Sequence, residues 1–131
     1  LNVIIKVNKK ERSFFTMSVD VTKMPKLGFG LMRLPEKDGE LDLEQLCKMV
    51  DAYMASGMNY FDTAYMYHDG EAQYFLGKAL AKYPRASYFL TNKLPIWYCK
   101  EPSDMEKIFQ DQLQRCRTSY FDFYFMLFYN K

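Results

Sequence analysis

The sequence predicts an α/β protein built on a parallel sheet. Short apolar runs alternate with segments of helical periodicity in the order strand, helix, strand, helix, strand, helix, strand. Such alternation is typical of right-handed crossovers between parallel strands. The strand runs lack polar alternation, which indicates burial on both faces of the sheet. About four strands and three helices are therefore expected, in a doubly wound sheet or in a barrel.

Each predicted element has its own local signals. The predicted elements are, in order, a strand at 27–32, a turn at 35–39, a helix at 42–56, a strand at 60–64, a helix at 70–82, a strand at 87–94, a helix at 103–116 and a strand at 120–127. Asp42 and Ser103 are expected to cap the first and third helices, because their side chains can accept from free backbone N–H groups. Gly57 and Pro84 are expected to end the first and second helices.

The helix periodicity also predicts which residues face the core. The predicted inner residues are Leu46, Met49, Val50, Tyr53 and Met54 on the first helix, Phe75, Leu76, Ala79 and Leu80 on the second, and Met105, Ile108, Phe109, Leu113 and Cys116 on the third.

Composition excludes several classes of function. The chain has 131 residues and a net charge of +2, which is enough for one domain but gives no electrostatic case for nucleic acid or an anionic membrane. No apolar run approaches the length of a membrane-spanning helix. Cys47, Cys99 and Cys116 are widely spaced, which argues against a disulfide framework or a metal site and fits a reducing cytoplasm.

The first sixteen residues differ in character from the rest. They begin without Met, and codons for residues 10–13 can spell a purine-rich ribosome-binding sequence just before Met17. We interpret residues 1–16 as a translated leader or a frayed arm, and residues 17–131 as the domain.

Two observations favour the barrel over the doubly wound sheet. Gly28-Phe29-Gly30 is followed by Arg33, so the Gly-x-Gly-x-x-Gly phosphate fingerprint of dinucleotide domains is absent. A barrel enzyme carries its chemistry at the C-terminal ends of its strands. Asp62 and Tyr67 lie at and just after the end of the second predicted strand, and Lys93 lies at the end of the third.

These three residues have the composition of a proton relay. A phenol becomes a usable acid when a nearby cation stabilises the phenolate. Lys93 can be that cation for Tyr67, and Asp62 can pair with Lys93 and fix its position. Taken singly, each has a structural explanation: Asp62 as a cap, Tyr67 as one of eleven tyrosines, and Lys93 as a solvated side chain. Only their joint spacing indicates a site.

The motifs around the relay resemble those of the aldo-keto reductases. The matching segments are Leu27-Gly28-Phe29-Gly30-x-Met32-Arg33-Leu34-Pro35, Asp62-Thr63-Ala64-x-x-Tyr67, Leu76-Gly77-Lys78-Ala79-Leu80, Arg85, Leu90-Thr91-Asn92-Lys93, Leu113-x-Arg115-Cys116 and Tyr120-Phe121-Asp122-Phe123-Tyr124. The resemblance covers roughly residues 25–124. It is strongest to a bacterial branch whose members often carry a ferredoxin-like iron–sulfur domain at the far C-terminus.

The resemblance implies a fold and a chemistry. The fold would be the N-terminal part of a TIM (β/α)8 barrel, and the activity would be NADPH- or NADH-dependent reduction of a small-molecule carbonyl. Tyr67 would be the general acid, Lys93 its cationic partner, and Asp62 the partner of Lys93. A second implied group lies near the nicotinamide or substrate: Gly30, Met32 and Arg33. Any iron–sulfur cluster would belong to a further C-terminal domain.

The sequence departs from the family at three places. The family has a catalytic histidine at the position of Leu127, and leucine has no hydrogen-bond donor. His68, the single histidine, is expected to be a solvated loop residue. Ala72 and Gln73 replace a Ser-Glu pair that is common in the family, a departure that we interpret as peripheral.

The end of the chain invites a specific explanation. One choice of codons for residues 125–128 spells His-Ala-Leu in a shifted frame, so we interpret the sequence after Tyr124 as a frameshift or sequencing error and residues 129–131 as an out-of-frame tail.

Four strands cannot close a barrel that typically needs about 250 residues. We therefore expect a self-associating fragment without activity of its own. The alternative is a non-catalytic half-barrel that acts as a binding or regulatory subunit.

Overall fold

The computed structural model describes residues 6–7, 14–15 and 21–128. Its strands are β1 (Lys6–Val7), β2 (Phe14–Phe15), β3 (Phe29–Gly30), β4 (Glu36–Lys37), β5 (Glu40–Leu41), β6 (Tyr60–Asp62), β7 (Phe89–Pro95) and β8 (Phe123–Leu127), and its α-helices are α1 (Leu43–Ala55), α2 (Glu71–Ala79) and α3 (Pro102–Arg115). Among the described residues, no helix is long and apolar enough to cross a membrane.

The central sheet has the order β3–β6–β7–β8, and all of its neighbouring strands are parallel. The helices α1, α2 and α3 form the successive crossovers. The predicted α/β architecture of four parallel strands and three helices is therefore confirmed. Strands β3 and β8 lie at the two edges, so the sheet is open.

Helix α1 forms as its sequence signals predict. The Asp42 side chain accepts from the N–H of Gln45 at 2.9 Å, and this bond satisfies a backbone donor of the first turn. Gly57 follows the helix with a φ of +84°, a left-handed conformation that glycine adopts without steric cost.

Three other predicted boundaries need correction. Helix α2 ends at Ala79 and not at Lys82. Helix α3 begins at Pro102 with Glu101 as its N-cap, because the Asp104 carboxylate accepts from the Glu101 N–H at 3.1 Å and proline fits the first turn. The predicted turn at 35–39 contains strand β4 and the two-residue connection, Asp38 and Gly39, that joins it to β5 in a hairpin.

The core lies between the sheet and the three helices. Fully buried side chains meet there from both layers, among them Leu46, Phe61, Leu76, Leu90 and Phe121. The predicted core positions of α3 are confirmed except for Met105, which is exposed; Met49 on α1 is exposed as well. Both lie at the margin of an apolar stripe, where periodicity cannot decide burial.

Side-chain alternation gives the sheet a second, chemically different face. Successive residues of a strand point to opposite faces. Asp62 is the register partner of both Gly30 and Thr91, and Lys93 pairs with Phe125. These residues therefore share the face that points away from the helices.

A partly buried ion pair connects the N-terminal ends of the last two strands. Arg85 donates to the Asp122 carboxylate at 2.6 Å and to the carbonyls of Tyr88 at 2.8 Å and Tyr120 at 3.0 Å. Asp122 in turn accepts from the N–H of Leu90 at 2.8 Å. This pair fixes the start of β7 against the segment that enters β8.

Two interpretations fall mostly outside the described residues. The leader proposed for residues 1–16 is described only at the antiparallel pair β1–β2. The out-of-frame tail proposed for residues 129–131 is not described, and both interpretations stay predictions.

Candidate active site

The structure brings Asp62, Tyr67 and Lys93 together at the C-terminal ends of β6 and β7. The Lys93 ammonium donates to Asp62 Oδ1 in an ion pair, to the carbonyl oxygen of Thr63 at 3.2 Å and to the Tyr67 hydroxyl at 3.1 Å. Three acceptors match the three hydrogens of an ammonium group. Because Lys93 donates to Tyr67, the hydroxyl hydrogen of Tyr67 is free to be donated elsewhere.

The Lys93–Asp62 pair is well shielded from solvent. The Lys93 side chain is 15% exposed and that of Asp62 is 29% exposed. Electrostatic interactions are stronger in such an environment than at a fully hydrated surface. An ammonium group at this distance can interact favourably with negative charge at the position of the Tyr67 oxygen.

A strained turn presents Tyr67 to Lys93. The turn runs from Tyr67 to Gly70, and His68 and Asp69 have φ values of +49° and +53°. Left-handed backbone is uncommon for residues other than glycine, and it persists only where the surroundings enforce it. Gly70 follows with φ +93°.

Arg115 of α3 packs beside this turn and helps to hold its conformation. Its guanidinium lies 4.3 Å from the ring centroid of Tyr65 and forms an ion pair with Asp111 at 2.6 Å. The Tyr65 hydroxyl donates to the same Asp111 carboxylate at 2.9 Å, and burial together with this bond raises the pKa of Tyr65. A Cβ on Gly70 would lie 2.7 Å from Arg115 Nη1, so a larger residue would displace the guanidinium as well as strain the backbone at φ +93°.

His68 differs from its prediction as a solvated residue. It is half-buried, and its Nε2 accepts from the backbone N–H of Leu34 at 3.1 Å. This bond connects the Tyr67 turn to the segment that follows β3. The positive φ of His68 directs its ring to Leu34, and no sequence signal predicted that backbone conformation.

The three predicted cofactor residues differ in their surroundings. Gly30 lies at the end of β3 as the register partner of Asp62, and a Cβ built there would meet nothing within 4 Å. Met32 and Arg33 follow in a segment whose first member, Leu31, donates its N–H to the Asp62 carbonyl at 2.9 Å. Both side chains are exposed. The structure thus places Gly30 beside Asp62 with open space at its Cα, and Met32 and Arg33 lie in the exposed segment that follows.

Sequence reasoning missed the environment of Gln73. We interpreted Ala72 and Gln73 as peripheral, but both are fully buried. Gln73 donates to Asn92 Oδ1 at 3.0 Å, and Asn92 immediately precedes Lys93. The apolar residues around Gln73 carry no sign of this contact, because it joins residues 19 positions apart.

Leu127 occupies the place where the resemblance expects a histidine. It is the last residue of β8 and the register partner of Pro95, two residues beyond the Lys93–Phe125 pair. Its side chain therefore lies on the same face of the sheet as Lys93.

Within the described part of the chain, no group of three or more His, Cys, Asp or Glu residues could hold a metal ion.

An open parallel α/β sheet thus carries a cluster of Tyr67, Lys93 and Asp62 at the C-terminal ends of its strands. The sequence model of the Aldo/keto reductase family matches residues 26–128, and the chain belongs to this family.

Individual relatives agree with this assignment. An NADP(+) aryl-alcohol dehydrogenase from Phanerodontia chrysosporium is 28% identical, and the match covers 70% of this chain and 28% of that protein. A crystal structure of an aldo-keto reductase from Klebsiella pneumoniae in complex with NADPH is similar with a TM-score of 0.71 and 21% identity, covering 100% of this chain and 41% of that one. The holo form of an aldo-keto reductase from Bacillus halodurans has a TM-score of 0.65 and 24% identity, with 96% and 40% covered.

The chain thus spans less than half the length of each of these relatives. Its fold is part of a TIM barrel that remains open.

Proposed function

We propose that this chain carries the proton-transfer half of an NAD(P)H-dependent carbonyl reductase active site. The observation that carries the proposal is the ammonium of Lys93, which contacts Asp62 and Tyr67 at once. Tyr67 donates its proton to the oxygen of an aldehyde or ketone as that oxygen becomes an alkoxide. Lys93 stabilises the resulting phenolate, and Asp62 holds Lys93 in place.

The residues beside the relay suit a reduced nicotinamide. When bound, that cofactor supplies the hydride, since no side chain can. Open space at Gly30 lets a flat ring approach the backbone near Asp62, and Met32 and Arg33 extend exposed side chains from the following segment. NADPH is the better-supported form, because the dehydrogenase and the Klebsiella pneumoniae enzyme named above are NADP(+)- and NADPH-linked.

The open sheet predicts that the chain needs further strands for turnover. Both edges of the central sheet are unpaired among the described residues, and Leu127 offers no donor to a carbonyl. We infer that the 131-residue chain alone does not oxidise NADPH in the presence of an aldehyde. Steady turnover by the purified monomer would contradict this inference.

A chimera tests the chemistry directly. Residues 26–128 replace the corresponding segment of the Klebsiella pneumoniae aldo-keto reductase, and aldehyde-dependent NADPH oxidation is measured. Tyr67→Phe is expected to lower the rate by about 100-fold or more, the usual contribution of a general acid. Leu127→His is expected to raise it, since histidine adds a donor.

A matched tyrosine provides the control for the chimera. Tyr83→Phe removes a hydroxyl that bonds Asp51 at 2.6 Å on the helical side of the sheet, and it is expected to leave the rate unchanged. The proposal fails if Tyr67→Phe is as active as Tyr83→Phe.

Self-association is supported by the surface of the β8 edge. Met126 is 62% exposed and Phe128 is 68% exposed beside unpaired strand edge. Sedimentation velocity over a concentration series is expected to show oligomers, and the double change Met126→Lys and Phe128→Lys is expected to shift them toward monomer. A wild-type chain that remains monomeric throughout the series would refute this.

The non-catalytic half-barrel has no comparable support. A binding role needs no relay, and the described relatives are reductases or dehydrogenases.

The cysteines of the chain are all free, which supports a reducing compartment such as the cytoplasm.

A further inference from the structure

Four buried polar side chains form one hydrogen-bonded network on the helical side of Lys93. Its members are Gln73 of α2, Asn92 of β7, Gln112 of α3 and Tyr124 of β8. Asn92 Oδ1 accepts from Gln73 Nε2 at 3.0 Å and from Gln112 Nε2 at 2.8 Å. The Tyr124 hydroxyl donates to Gln112 Oε1 at 2.5 Å. The two glutamines and the asparagine have no exposed surface.

This network is bonded to both backbone polar groups of Lys93. The Lys93 N–H donates to Asn92 Oδ1 at 2.8 Å, and the Lys93 carbonyl accepts from Gln112 Nε2 at 2.9 Å. Strand β6 ends at Asp62, whose register partner is Thr91, so Lys93 lies beyond the last residue that β6 pairs. At Lys93, side chains therefore make the backbone hydrogen bonds that a neighbouring strand would otherwise make.

Packing of the core alone does not explain why four polar side chains are buried together. Burying an amide costs free energy unless its hydrogen bonds are replaced, and apolar side chains would join α2 and α3 to the sheet without that cost. A hydrogen-bonded polar network does provide one thing that apolar contacts lack, which is a single defined geometry for the groups it binds. Of its three amide oxygens, only Gln73 Oε1 is buried without a hydrogen-bond partner.

We propose that Asn92 and Gln112 are positioning residues that hold the backbone of Lys93 so that its ammonium reaches Asp62, Thr63 and Tyr67 together. Tyr124 and Gln73 orient the two amides. The proposal rests on the role of Lys93 in the proposed function, but its test requires no turnover.

Proton-detected nitrogen-15 NMR of lysine ammonium groups tests the proposal on the full chain. Hydrogens of exposed lysines exchange rapidly with water, whereas those of Lys93 are held by three acceptors. We expect one persistent ammonium signal that Lys93→Arg removes. Gln112→Met is expected to speed its exchange about tenfold, the change that corresponds to losing roughly one hydrogen bond.

Two further variants separate positioning from general destabilisation. Tyr124→Phe removes only the hydroxyl that orients Gln112, and it is expected to speed exchange by a smaller factor in a chain that still folds. Leu113→Ala shortens a buried neighbour of Gln112 that lies in the apolar core. It is expected to lower the melting temperature while the Lys93 signal stays unchanged.

Three results would overturn the proposal. The first is the absence of a Lys93 signal from the unaltered chain. The second is an unchanged exchange rate of the Lys93 ammonium in both Tyr124→Phe and Gln112→Met. The third is an exchange rate that rises as much in Leu113→Ala as in Gln112→Met when both variants lose the same amount of melting temperature. If Gln112→Met does not fold, Tyr124→Phe alone decides. An inactive chimera with the expected exchange pattern would refute the proposed function but leave the positioning role intact.

Discussion

Replacing Arg85 with methionine tests whether the buried ion pair stabilises the sheet. Arg85 makes four hydrogen bonds, to Thr118 Oγ1, Asp122 and two backbone carbonyls. Its side chain is 18% exposed and that of Asp122 is 12% exposed, so solvent screens the pair little. Methionine preserves much of the stem but leaves the Asp122 carboxylate without its cation.

The expected loss in the free energy of unfolding follows from the cost of leaving the Asp122 carboxylate without a cation. Breaking a buried pair at one partner costs about 3–5 kcal/mol. For a chain of this length the melting temperature should fall by roughly 10–20 °C. Urea unfolding, followed by circular dichroism at one protein concentration, measures the loss in the free energy of unfolding.

Two further variants make the reasoning refutable. In a double-mutant cycle with Asp122→Asn, a coupling of about 1–3 kcal/mol is expected, because the second change removes the stranded charge. Lys48→Met removes an exposed pair, with side chains 65% and 80% exposed, and should change stability by no more than about 0.5 kcal/mol. A loss for Arg85→Met as small as that for Lys48→Met, or a coupling near zero, would refute the reasoning.

Two other predictions concern the contact between α2 and the end of α3. Gly77→Ala should destabilise the chain, although alanine favours a helix by about 1 kcal/mol, because its Cβ would lie 2.7 Å from the Arg115 carbonyl; a higher melting temperature would contradict this. Burial raises the pKa of the Cys116 thiol to about 12, so the thiol stays protonated at pH 8.5. Mass spectrometry after iodoacetamide treatment should find Cys116 unmodified in the native chain and modified in denaturant, whereas native modification that keeps pace with half-buried Cys47 would contradict the burial.

Much of the fold could be predicted from local patterns. The crossovers follow from alternating periodicities, and the start and end of α1 follow from Asp42 and Gly57. The α3 boundary was wrong because Ser103 and Glu101 both can cap a helix, and only the position of Asp104 decides between them. The hairpin of β4 and β5 was missed because its strands have two residues each.

The amino-acid sequence by itself determined the parallel α/β class and the three relay residues. Parallel strands have their C-terminal ends at the same edge of the sheet, so residues at those ends lie close together. Only the tertiary structure decided how the relay is held. The left-handed turn at His68, the Arg115 contact with Tyr65 and the amide network behind Lys93 join residues from different elements. Their positions depend on how α2 and α3 pack against the sheet, and that packing leaves no periodic signal along the chain.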